Sequence, residues 1–165
     1  MSASRKNRLI REKIHDPYHE TRKYSDGVMC PDCHAMYQSG HWLWPREDEI
    51  QNLSSADQSL CPACRRIRDK YPAGIVVLEG QYLSRRKEEI LNLVDRIVKE
   101  QSYKSPLKKV ISHDEKKGAI VIHVTDDHLA RQLGEAIHRA HKGDLKVKYG
   151  EEARFVRVHW RREIT

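Results

Sequence analysis

Residues 118–143 read GAIVIHVTDDHLARQLGEAIHRAHKG, and the periodicity changes partway along. Ala119 to Val124 is a short apolar run with the character of a central strand. Thr125, Asp126 and Asp127 then offer capping oxygens, and Leu129, Leu133, Ile137 and Ala140 recur at the spacing of one helix face. Gly134 leaves room on that helix for close approach to a sheet. Gly143 predicts a left-handed end.

The flanks extend the pattern. Upstream, Ile75 to Leu78 form an apolar run closed by Gly80, which predicts a buried strand. Ser84 is placed to cap a helix in which Ile90, Leu91, Leu93, Val94, Ile97 and Val98 recur at helical spacing before Ser105-Pro106. Leu107 to Ser112 reads as a second strand, with His113 to Gly118 as the turn. Downstream, Leu145, Val147 and Tyr149 alternate with Lys146 and Lys148, and a fifth strand runs from Arg154 to Arg161. The order βαββαβ plus a terminal strand predicts a ferredoxin-like α+β domain over 73–165, with both helices on one sheet face. On the last strand Val156, Val158 and Trp160 are set for burial, while Phe155, Arg157, His159 and Arg161 share the other face. With Lys146 and Lys148 beside it, that face suits an RNA platform where bases stack and phosphates meet cations. The alternative is a solvated strand face with one surface aromatic.

Residues 28–72 form a different module. Cys30-Pro-Asp-Cys33 and Cys61-Pro-Ala-Cys64 are matched pairs, each able to turn its backbone amides toward sulfur. Together they predict one tetrahedral Zn2+ site with Cys30, Cys33, Cys61 and Cys64 as ligands. A redox dithiol and an iron–sulfur cluster are the alternatives. His34 and His41 lie nearby, but four thiolates complete the shell and leave no open position, so the metal is expected to be structural. Trp42 and Trp44 are expected to pack against it, with base stacking as the alternative. Arg65, Arg66, Arg68 and Lys70 follow the second pair and can meet phosphates.

Residues 1–27 form a basic arm, in which Arg5, Lys6, Arg8, Arg11 and Lys13 crowd the start. Ile10 and Ile14 permit a short amphipathic helix, and Asp16-Pro17 stops it. Free, the arm is expected to be partly disordered, or to order on RNA. The 165 residues carry a formal net charge of +7, distributed as +3 over 1–27, −1 over 28–72 and +5 over 73–165. Basic ends around a neutral centre point to a polyanion. No run approaches the ~18 apolar residues of a membrane span. The charged start MSASRKNRLIREK has no apolar segment behind it, so a cytoplasmic location is expected. There, cysteines serve metals more often than disulfides.

Chemistry is harder to find. Ser84, Ser112, His113 and Asp114 form no strained nucleophile elbow, and no glycine-rich phosphate loop is present. Capping accounts for Asp126-Asp127-His128, and His138 with His141 reads as a surface pair. The expectation is a non-enzymatic protein.

The stretches Cys30-Pro-Asp-Cys33, Gly40-His-Trp-Leu-Trp44, Cys61-Pro-Ala-Cys64 and Tyr71-Pro-Ala-Gly74 together resemble a group of small bacterial zinc-ribbon proteins. So do Thr125 to Arg131, Arg139 to Gly143 and Arg157-Val-His-Trp160. More distantly, paired CxxC motifs before an α+β segment resemble the archaeal and eukaryotic large-ribosomal-subunit export adaptor of the nonsense-mediated-decay type. That resemblance implies binding to ribosomes or rRNA on the intersubunit side, in assembly or hibernation; from the hydropathy and the missing catalytic motifs, no membrane and no small-molecule substrate are expected. A zinc-ribbon DNA-binding regulator and a protein-interaction module are the competing expectations.

Overall fold

A computed structural model describes residues 18, 24–50, 57–150 and 154–164. The five basic positions of the arm, Arg5, Lys6, Arg8, Arg11 and Lys13, lie outside the described residues. A small hairpin comes first: β1 (Met36–Gln38) pairs antiparallel with β2 (His41–Leu43). Two short helices follow, α1 (Glu47–Ile50) and α2 (Pro62–Asp69). The rest is β3 (Gly74–Glu79), α3 (Gln81–Lys104), β4 (Val110–Lys116), β5 (Ala119–Val124), α4 (Asp127–His141), β6 (Asp144–Tyr149) and β7 (Val156–Arg161). The α+β class and the expected order of elements are both present.

The five-stranded sheet is mixed, in the order β4-β5-β3-β7-β6. Every neighbouring pair is antiparallel except β3 and β7, which run parallel. In a four-stranded ferredoxin-like sheet the fourth strand lies beside the first. Here the terminal strand β7 takes that place and β6 becomes the edge. Side-chain chemistry accounts for the arrangement. Val156, Val158 and Trp160 are at most 1% exposed, as a central strand requires, whereas Lys146, Lys148 and Tyr149 on β6 face solvent, as an edge strand tolerates.

One sheet face is closed by the two long helices. Leu83, Ile90 and Val94 of α3 and Leu129, Leu133 and Ile137 of α4 pack with Val76, Leu78, Ile120, Ile122, Val124, Val158 and Trp160 in a single core. Gly134 permits that closeness: a Cβ there would lie 2.3 Å from Val158 Cγ1. The buried position near the end of α4 is His141 rather than the expected Ala140, which is exposed. His141 Nδ1 sits 2.9 Å from the Tyr82 hydroxyl, so it forms no surface pair with His138.

Several boundaries differ from the sequence reading. The helix α3 begins one turn before Ser84, because Glu163, from beyond β7, accepts the Gln81 backbone amide at 3.2 Å. The strand β4 runs through His113 to Lys116, and the hairpin closes at Lys117 and Gly118, both with positive φ (51° and 80°). Leu107 to Lys109 are instead held by Thr125, whose hydroxyl accepts the Lys109 amide and bonds the Leu107 carbonyl.

Candidate functional site

Cys30 opens a tight turn in which its carbonyl accepts the His34 amide (2.9 Å) and its own amide donates to the Ala35 carbonyl (2.8 Å). His34 takes the left-handed conformation, φ 65°, which closes the knuckle. The second pair lies at the start of α2. Cys61 is the N-cap residue and its sulfur accepts the Cys64 amide at 3.4 Å, with Pro62 presetting the first turn. The hairpin β1–β2 and α2 thus bring the four sulfurs within 4.8 Å of one another. Cys33 and Cys61 lie 3.7 Å apart, close to the separation of about 3.8 Å that a tetrahedron with ~2.3 Å metal–sulfur bonds imposes. These four residues can hold one metal ion.

Electrostatics point the same way. The Cys33 thiol is held down to about 5, first by its hydrogen bond with Cys61, against burial and with help from the Ala35 amide. Cys61 is pushed up by donating to Cys33 and by burial, and Cys64 is pushed up to about 12, mainly by burial. Crowded, buried sulfurs share little negative charge on their own, and a bound cation allows all four to ionise.

Trp42 packs into this module: it is 6% exposed and shares a cluster with Cys30, Cys61, Cys64, Tyr37 and Val28. Trp44 does not. Its indole nitrogen donates to the Ser102 carbonyl at 2.6 Å, and Lys109 Nζ lies 4.8 Å from its ring, so it ties the module to the end of α3.

The arginines of α2 turn inward or pair. Arg65 donates to the Tyr24 hydroxyl at 2.8 Å. Arg66 is 5% exposed, donates to the Tyr71 carbonyl and lies 4.4 Å from the Tyr18 ring. Arg68 reaches both oxygens of Asp32 at 3.1–3.2 Å, joining the helix to the first knuckle. All three brace the module.

The sheet face away from α3 and α4 has no helix over it among the described residues. Register places Lys146 beside His159 and Lys148 beside Arg157, with Ile75 beside Arg157 and Val77 beside His159. A concavity of about 330 Å³ is lined by Ile75, Val77, Lys146, Lys148, Arg157 and His159. Among the described residues Lys146, Lys148 and Arg157 make no ion pair. His159 and Arg161 are engaged by Glu79, at 2.7 and 3.5 Å. Phe155 is half-buried at the mouth of β7, its ring 5.8 Å from the Arg157 guanidinium carbon. Sequence reasoning missed Ile75, Val77 and Glu79, because which strand flanks β7 is invisible until the sheet order is known.

Fold and site together define a class: an α+β chain with a mixed sheet, one uncovered cationic face, and a four-cysteine metal module at its side. Comparison of the chain with protein-family models, curated proteins and solved structures finds no match. No helix among the described residues is long and apolar enough to cross a membrane.

Proposed function

We propose that this chain is a non-enzymatic, zinc-containing accessory factor that binds rRNA on the ribosome, in assembly or hibernation at the intersubunit side. The observation that carries the reading is the uncovered sheet face, where Lys146, Lys148 and Arg157 border the apolar strip of Ile75 and Val77. Unpaired bases can lie on the strip while phosphates meet the three cations, which have no carboxylate partners among the described residues to displace. Zinc is the metal that four thiolates in a closed shell suit, in a structural role. The C-terminal domain is then a ferredoxin-like variant with its terminal strand inserted, and the basic arm would add further phosphate contacts. The resemblance to ribosomal export adaptors is what directs the RNA reading to the ribosome.

Sedimentation of cell lysate through sucrose gradients tests it. The chain should travel with ribosomal particles at low salt and return to the top at high salt. A chain that stays at the top at low salt, in growing and in stationary cells alike, contradicts the ribosomal reading.

A further inference from the structure

A second cavity, of about 290 Å³, lies between the metal module and the end of the sheet. That is just below the roughly 300–1,000 Å³ typical of ligand pockets, a fit for a single planar base rather than a large cofactor. Its apolar wall includes Trp42, Pro62 and Ala63, and its polar wall includes Asp127 and Arg154. Two polar groups there are unspent. The Trp42 indole nitrogen is buried without a hydrogen-bond partner among the described residues, whereas the great majority of such groups have one. Asp126 caps α4 by accepting the Leu129 amide at 2.8 Å, which leaves the next carboxylate, Asp127, with no hydrogen bond or ion pair among the described residues. The cavity lies at the end of the sheet where β3 and β7 begin, since Ala73 and Arg154, which line it, precede those strands by one and two residues.

We infer that this cavity receives an unpaired guanine base, read by the Asp127 carboxylate. The chemistry selects among the bases. A carboxylate has two acceptor oxygens side by side, and only guanine presents two adjacent donors, N1–H and N2–H, on its pairing edge. Adenine and cytosine each set one amino donor beside an acceptor nitrogen, and uracil sets its single imino donor between two carbonyls. Each of these would leave a carboxylate oxygen facing a lone pair. Trp42 gives the base an aromatic wall, and exposed Arg154 is the cation within reach of a 5′ phosphate. This deepens the RNA reading and rests on it, since a chain that never meets RNA has no use for the site.

Titration of the metal-loaded full chain with the four ribonucleoside 5′-monophosphates, followed by tryptophan fluorescence and amide chemical shifts, tests the inference. GMP should bind tighter than AMP, CMP and UMP, with shifts centred on the Trp42 indole, Ala63 and Asp127. Asp127→Asn should lose GMP affinity by roughly five- to hundredfold, the range a bidentate pair carries, and should also lose the preference among bases. Should that variant fold poorly, the shift map of the unmutated chain decides alone. Equal binding of all four nucleotides, no binding, or shifts mapping away from the cavity would overturn the guanine site. None of those results touches ribosome sedimentation, so the two readings fail separately.

Discussion

Cys61 is the N-cap of α2 and one of the four cysteines placed to hold a metal ion. Cys61→Ser separates the roles, because serine caps helices well yet is a far poorer metal ligand than a thiolate. The variant should lose most of its bound metal, measured as metal per chain by elemental analysis, and the ordered packing of Trp42 in residues 28–72, measured by near-ultraviolet dichroism. Retention of one metal per chain would contradict four-thiolate ligation. His141 makes a different prediction. Burial, with Arg162 and Arg86 nearby and Glu89 opposing them, holds it below its ordinary value of 6.5. The unfolded chain therefore takes up this proton more readily than the folded one. The stability it contributes is full above about pH 6.5 and is lost as pH falls through the depressed folded value. The melting temperature should fall on acidification from pH 7 to 5, and by less in His141→Gln. The cysteines were legible in the sequence because metal spacing is local. His141 was not, because its partner, Tyr82, is 59 residues away.

Among the elements, α4 was the most legible, since its capping carboxylate, its apolar face and its glycine are all encoded within one turn or two of where they act. Gly134 is where α4 meets β7 without a side chain between them, and Gly134→Val should lower stability by about 1–3 kcal/mol through overpacking against Val158 and Leu145. Urea unfolding checks this, and an unchanged midpoint would mean that α4 can lift from the sheet at little cost. The strands were less legible. β4 is displaced from its expected position by three residues at its start, because Thr125 holds the preceding loop and a two-residue turn closes the hairpin. Strand order was not encoded locally at all. The apolar alternation of β7 reads the same at an edge or in the middle, and only competition with lysine-bearing β6 puts it inside.

For the molecule as a whole, the two packed clusters have separate cores, one around the cysteines and one between the sheet and its helices. Trp44 and Leu107 bridge them. The metal module thus acts as a clamp beside the sheet, and the sheet's outer face is left with three cations that pair with no carboxylate among the described residues. The positive charge of the C-terminal segment was legible from composition. Its concentration on one face was not, because it depends on Glu79 pairing with Arg161 and bonding His159 while β6 brings Lys146 and Lys148 alongside Arg157. The most direct measurement is the salt dependence of affinity for single-stranded RNA, compared between the unmutated chain and a Lys146→Ala/Lys148→Ala/Arg157→Ala variant. The account predicts a steep log–log decline for the former and a slope shallower by about 2 for the variant, at roughly 0.7 for each phosphate that the variant leaves unneutralised. Identical slopes, or no RNA binding at low salt, would contradict it.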